Sequence, residues 1–518
     1  MTNKNRHARV LMVALDACEP RLVEQWMNNG SLPNLQRLRG RGCYGRLAST
    51  ADWLAGSPWP TFYTGTTPAD HGLYHFLQWR GDKMALIRPS PDWLPLRPFW
   101  RDLSKAGRRI IAIDLPMTFH PEPFNGVEIS GWATHDQLAP PASHPSSMMD
   151  WLRREFGKSS LREEVFEPQQ LKSLLQLRDE LIQATQCTAD IAEVLMSRET
   201  WDLFICGFGA THRGGHKLWD LTGALGGIGP DSRKEFSNAL RDVYVACDAA
   251  VGQLVEAAGN GMTVLVFSLH GMGPNTSRAN LLPQILDRIL DKKGKSLSGS
   301  ERHVYLKRLL SLIPFELRSS VKRRLPLSLR GRFTRFWHMG SIDWSVTPVA
   351  SLAADLQGYI RINIRGREAA GIVEPGEEYD RLCAEIIEGL STFVDADTSE
   401  PVVESVMRSD QLFSQGLRRN NLPDLLVRWA SSPAANHKAV VSPRYGSISW
   451  PIPGRNPDGR SGNHRPEGFL IAVGDNVQPA SQIEGAHILD LAPTVYALLN
   501  IPKPSEMCGD VLSAIQSG

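Results

Sequence analysis

The sequence predicts an α/β protein built on a doubly wound, mostly parallel sheet flanked by helices. Three observations carry this. Short aliphatic and β-branched runs recur along the chain. Helix-periodic segments alternate with them, the pattern of successive βαβ units. The runs are continuously apolar rather than alternating, as a strand covered on both faces requires.

The elements follow in order. Val10 to Leu15 (VLMVAL) reads as the first strand and ends at Asp16. A helix follows from about Pro20 to Asn28, and Ile110 to Ile113 is a second strand. A helical stretch from about Gln169 to Arg198 leads into a third strand, Trp201 to Phe208 (WDLFICGF). Asp242 to Ala258 is an apolar-periodic helix, and Thr263 to Ser268 (TVLVFS) a fourth strand. Strand and helix patterns resume from Asp343 to Trp429, and Ile488 to Leu499 is a closing helix stopped at Asn500-Ile501-Pro502.

The stretch from Leu281 to Gly340 differs, being helical in pattern and strongly basic. Between Arg302 and His338 stand ten Lys/Arg against one acid, Glu316, or about +9. The whole chain carries +2, so the remainder is about −7. We read residues 281–340 as a basic helical insertion in a single α/β domain formed by 1–280 and 341–518. Residues 302–338 suit either a solvated cover for the core or contact with an acidic partner, an anionic substrate or a membrane surface.

With 518 residues, 42% of them hydrophobic and 22% charged, the chain can bury a large core and is neither disordered, fibrous nor a small disulfide scaffold. A near-balanced total of 57 basic and 55 acidic residues excludes a protein built to coat nucleic acid. The seven Cys form no CxxC pair and read as buried free thiols, which suits a reducing compartment. The polar start MTNKNRHAR runs straight into a strand, and no apolar stretch spans a bilayer, so a cytoplasmic location is expected.

Ligands of open α/β sheets bind beyond the carboxyl ends of the strands. Asp16 ends the first strand, His212 and His216 follow the third, and His270 follows the fourth. His464 precedes a further strand in SGNHRPEGFLIAVG. His212 and His216 share a face if their segment is helical, while Gly214 and Gly215 leave a loop as the alternative. Neutral imidazoles with a carboxylate are a donor set for a divalent ion. Arg213, Asn463 and Arg465 flank these residues and are candidates for contact with an anionic substrate. Asp70 and His71, in PADHG, read as turn-shaping.

In this setting several segments resemble the alkaline phosphatase superfamily, in its type I phosphodiesterase/nucleotide pyrophosphatase branch. They are ALDACEP, WPTFYTGTTPADHGLYHF (Trp59 to Phe76), DLPMTFHPEPFNGVEISGW (Asp114 to Trp132), INIRGREAAGIVEPGEEY, NLPDLLVRW, GNHRPEGFLIAVG and ILDLAPTVYALLNIPKP. Their order covers nearly the whole chain outside the basic insertion. The resemblance implies an alkaline-phosphatase-like fold and one or two divalent ions, zinc above all, with manganese or iron as alternatives. It places one ion at His212, His216 and His464, and the other at Asp16, the nucleophile, position 269 and His270.

Two positions depart from that pattern. Leu269 stands where the family has a ligating Asp, and His212 where it has another. A gapless alignment also puts Ala55 at the nucleophile position. Ser57, two residues on, precedes Pro58 and is either the nucleophile or a helix cap, with Thr61 as a further hydroxyl. The resemblance implies a metal-dependent hydrolase or transferase of phosphodiester, phosphate or related sulfate and phosphonate esters. Ser57 or a metal-bound hydroxide would attack, and the substrate would be a small-molecule or lipid- or glycan-linked anionic ester. The competing readings are a catalytically degenerate member that binds a metal or anion, and a peripheral-membrane or scaffold protein acting through 302–338.

Overall fold

A computed structural model of the chain describes residues 8–135, 137–159, 161, 164, 166, 168–220, 229–290, 342–475 and 477–515. The basic stretch 302–338 lies outside the described residues. Of the expected insertion, the helix Leu282–Leu290 is described. The chain divides into two compact units, Met1–His71 with Ser90–Asn275 and Gly454–Gly518, and Gly72–Pro89 with Thr276–Pro453.

The first unit is built on a nine-stranded sheet. Its order is Ser481–Ile483, Cys43–Ala48, Glu467–Val473, Thr263–Ser268, Val10–Leu15, Leu203–Phe208, Ile110–Ile113, Gly126–Ser130, Ala142–His144. The five strands from Thr263–Ser268 to Gly126–Ser130 run parallel. Glu467–Val473 is antiparallel to both its neighbours, and Ala142–His144 closes the other side antiparallel.

All six residues of Val10–Leu15 are buried. Leu11, Val13 and Leu15 pack in one cluster with Leu181, Ile191, Leu195, Val243, Val251 and Leu254 of two long helices. Val10, Met12 and Ala14 alternate to the opposite face and are buried too. That double burial explains the continuous apolar run, since no position of the strand meets water. The helices Leu171–Arg198 and Ala239–Ala258 supply the cover on the face of Leu11, Val13 and Leu15. In the first, Leu174, Leu177, Leu181, Ala184, Thr188, Ala192 and Leu195 recur at three- and four-residue spacing along the buried face.

The second unit holds a four-stranded antiparallel sheet in the order Val349–Leu352, Gly358–Ile362, Leu425–Trp429, Val403–Arg408. Helices Leu282–Leu290 and Glu377–Ser391 pack on it around Ile360, Ile362, Ile386, Leu390 and Val427. A buried charge cluster braces it. The Arg367 guanidinium donates to both carboxylate oxygens of Asp424 at 2.6 and 2.8 Å, and Arg361 Nε to Glu368 Oε1 at 2.8 Å.

All seven cysteines are free thiols, five buried, Cys187 half-buried and Cys508 exposed. The Cys508 amide donates to the Gly65 carbonyl at 2.9 Å. Among the described residues no helix is long and apolar enough to cross a membrane.

Candidate metal centre

The first unit gathers the predicted ligands at the carboxyl ends of its parallel strands. Asp16 follows Val10–Leu15 and is fixed on three sides. Its amide donates to Phe208 O at 3.0 Å, its carbonyl accepts from Thr211 Oγ1 at 2.6 Å, and its Oδ1 accepts from Trp59 Nε1 at 2.8 Å. The second carboxylate oxygen, Oδ2, is buried and makes no hydrogen bond.

His212 and His216 lie on a helix, Ala210–Leu218, despite Gly214 and Gly215. Gly215 has a packing reason. A Cβ on Gly215 would lie 2.7 Å from Met272 Cγ, and one on Gly462 would lie 2.1 Å from the Gly215 carbonyl oxygen. The two glycines let the helix backbone rest against the two-stranded ribbon Gly271–Pro274 and Gly462–Arg465, in which Met272 pairs with His464. His464 therefore reaches the histidines of the helix, its ring centroid 5.0 Å from His212 and 4.9 Å from His216.

His216 Nδ1 lies 3.0 Å from the Gly462 carbonyl oxygen and donates to it, which leaves Nε2 with its lone pair facing inward. His212 Nε2 is 2.9 Å from that atom. Burial, reinforced by the neighbouring His135 and His270, holds His212 well below the usual histidine pKa. Burial does the same for His216, aided by Arg460 and His212. Both are thereby held in the neutral, ligating form.

His270 follows Thr263–Ser268, with its ring centroid 4.8 Å from that of His464. Ser268 Oγ donates to the His270 carbonyl at 2.8 Å and accepts from the Cys18 amide at 2.9 Å, tying the turns after two adjacent strands together. Leu269 is buried.

One residue that the sequence reading missed joins this group. His135 Nε2 lies 3.1 Å from Asp16 Oδ2, and His212 Nδ1 lies 3.2 Å from the same oxygen. Two sets of donor atoms each lie within 4.8 Å of one another: His212, His216 and His464; and Asp16, His135 and His212. Ligand atoms around a tetrahedral zinc with bonds of about 2.0–2.1 Å are about 3.3 Å apart, so the spacing at Asp16 fits a cation. The buried Asp16 Oδ2 and His212 Nδ1, close together and without a hydrogen bond, fit one as well.

Ser57 stands immediately before the helix Pro58–Thr64 but does not cap it with its side chain. Its buried Oγ donates to the Leu54 carbonyl at 2.7 Å and lies 2.7 Å from Thr50 Oγ1. Thr50 Oγ1 is 3.4 Å from Thr61 Oγ1, which is 3.0 Å from His71 Nε2. A line of hydroxyls thus runs from Ser57 to a buried imidazole. Trp59, on the first turn of the same helix, is the residue that touches Asp16.

The three flanking candidates differ. Arg213 is buried, which lowers its pKa against the opposing pull of Glu164. Asn463 is fully buried. It donates to Asn275 Oδ1 at 3.2 Å and its oxygen accepts from the His464 amide at 2.9 Å, so it shapes the ribbon. Arg465, at the ribbon end, is half-buried.

A model of the type I phosphodiesterase/nucleotide pyrophosphatase family matches residues 10–433. Comparison with curated proteins finds no match. Among solved structures, phosphonoacetate hydrolase from Sinorhizobium meliloti 1021 in complex with phosphonoformate is 13% identical, with 95% of each chain covered and a TM-score of 0.49. Human ectonucleotide pyrophosphatase/phosphodiesterase 5 is 13% identical, with 96% of each chain covered and a TM-score of 0.47.

Proposed function

Because this chain belongs to the type I phosphodiesterase/nucleotide pyrophosphatase family, within the alkaline phosphatase superfamily, we propose that it is a divalent-metal-dependent hydrolase of phosphodiester or related phosphate-type esters. The observation that carries this is the convergence of Asp16 with His212, His216, His270 and His464 at the strand ends. These residues would hold the ion or ions, and the excess of imidazole favours zinc over magnesium. A divalent ion there supplies charge to neutralise the phosphoryl oxygens and to lower the pKa of an attacking hydroxyl.

The protein's own part is positional. Trp59 holds Asp16 with its indole N–H, so the start of helix Pro58–Thr64 is fixed beside the first ligand. Ser57 is our assignment for the nucleophile. To attack phosphorus it must turn its Oγ away from the Leu54 carbonyl; the Oγ–P bond would form as the ester's P–O bond to its alcohol breaks, and water would then hydrolyse the phosphoserine to restore Ser57. Thr50 and Thr61 then offer its proton a route to His71 Nε2. Arg465 is our assignment for contact with an anionic ester oxygen, while Arg213 and Asn463 act on the position of their neighbours. The substrate is a small anionic ester, free or attached to a larger carrier.

Metal analysis with an ester screen tests this reading. Purification without chelator should yield at least one tightly bound divalent ion per chain and turnover of a bis-aryl phosphate, an aryl phosphate or an aryl sulfate. Absence of stoichiometric metal would sink the reading. A Ser57→Ala variant at full rate would sink the covalent step alone.

Three observations favour a second reading, a family member that binds a metal and an anion without turnover. The Ser57 hydroxyl is committed to Leu54 and Thr50, Ala55 cannot attack, and Leu269 cannot ligate. Metal binding with no turnover of any of the three esters would select it.

A further inference from the structure

We propose that a second cation binds at Asp16, His135 and His212, and that the His212 imidazole joins the two ions by offering a different nitrogen to each. This rests on the metal-dependent reading above and goes beyond it, because the sequence pattern gives His135 no role and sends the second ion toward position 269.

The geometry is specific. His212 presents Nε2 to the side of His216, 2.9 Å away, and Nδ1 to the side of Asp16, 3.2 Å away. It is the shared member of both donor groups. His135 meets the same carboxylate oxygen from another direction at 3.1 Å, with its ring centroid 3.7 Å from that of His212. Leu269 is buried and has no donor atom, so a ligand lost on one strand end is replaced by one from another.

The loop carrying His135 is built to hold it there. It follows the strand Gly126–Ser130, and the buried Asp114 carboxylate accepts the amides of Trp132, at 2.7 Å, and Ala133. Gln137 Nε2 donates to the carbonyls of Gly131, at 3.1 Å, and Thr134, at 3.3 Å, on either side of the bend. Gly209 leaves room, since a Cβ there would stand 3.3 Å from His135 Nδ1. Two imidazole nitrogens and one carboxylate oxygen form a three-ligand set of the kind zinc accepts with a fourth position left open. A neutral imidazole carries one N–H, so when both nitrogens ligate, that proton leaves to solvent as the second ion binds.

Titrating the metal-free protein with Zn2+, with bound metal counted by atomic emission, tests the site. Two ions per chain are expected. His135→Ala should keep the first and weaken the second by at least ~100-fold, and Gly209→Ala, which crowds the ring without removing it, by about tenfold. Loading the wild type with two Cu2+ should give a coupled, weakened electron paramagnetic signal, because the imidazole transmits exchange between the ions. His135→Ala with one Cu2+ should give a full single-ion signal. One zinc in the wild type, or two in His135→Ala at unchanged affinity, overturns the second site. Two independent copper signals overturn the bridge. No bound metal in any form overturns the metal-dependent reading itself, a distinguishable result.

Discussion

Two side chains outside the proposed ligand set would decide how the centre is held, and each can be tested singly. Trp59 satisfies one oxygen of Asp16, which leaves the other for a cation. Trp59→Phe removes the donor and keeps the ring. A hydrogen bond to a charged group is worth about 1.5–3 kcal/mol, and groups that orient ligands typically change affinity by about 10–100-fold. Zinc affinity should therefore fall by about tenfold with the fold intact, as zinc titration and circular dichroism would show. Asp114 acts one shell further out. Burial pushes its carboxyl up to about 7, against the pull of the Ala133, Trp132 and Gly131 amides. The folded chain then keeps a proton that the unfolded chain has released between about pH 4 and 7. The stability this proton contributes is complete below about pH 4 and disappears as pH rises through 7. In metal-free protein, the advantage of wild type over Asp114→Asn should therefore shrink by ~2–4 kcal/mol between pH 4 and 7.5, at ~1.4 kcal/mol per unit. Urea unfolding at the two pH values measures it, and a constant difference would refute the shifted carboxyl.

Elements explain why some of this was readable in the sequence and some was not. Val10–Leu15, Ile110–Ile113 and Thr263–Ser268 have the bounds their apolar runs suggest, because their interior positions are buried on both faces and carry no polar residue to blur the pattern. The helix Pro20–Asn28 is likewise legible, starting at a proline that suits a first helical position. The third strand begins at Leu203, two residues after Trp201, since the Asp202 carboxylate is drawn to the Arg109 amide. Ala210–Leu218 was harder, as two glycines argue against a helix unless one knows what lies against them. His135 left no local signal at all. Its loop has no period, and its place depends on Asp114, a residue 21 positions earlier on a neighbouring strand end. The glycine contact is itself open to test. Gly462→Ala would set a methyl against the Gly215 carbonyl and force the ribbon off the helix. His216 would lose its Gly462 acceptor, and affinity for the first zinc should fall by at least ~10-fold. Unchanged affinity would mean that the close approach does not position the ligands.

At the scale of the molecule, the first unit is assembled from three separate stretches of chain. Its sheet places Glu467–Val473 between Cys43–Ala48 and Thr263–Ser268, so a late segment completes an early one. Pairings of such long sequence separation cost loop entropy before they return any contact. Ending the chain at residue 453 would remove both this interior strand and His464, and would leave two β edges unpaired. The shortened protein should show no cooperative thermal transition and should aggregate, as scanning calorimetry and light scattering would reveal. A normal transition would mean that the C-terminal stretch is an addition to the fold and not part of it. The thiol pattern belongs to the same scale. Five of the seven sulfhydryls are shielded by the core and one is half-covered, while Cys508 faces solvent and is anchored through its backbone to Gly65, at the far end of the helix that begins beside Ser57. Under brief, substoichiometric maleimide treatment a fluorescent dye should attach mainly at Cys508, and its anisotropy would follow that helix as zinc is added, with no substitution needed in the chain.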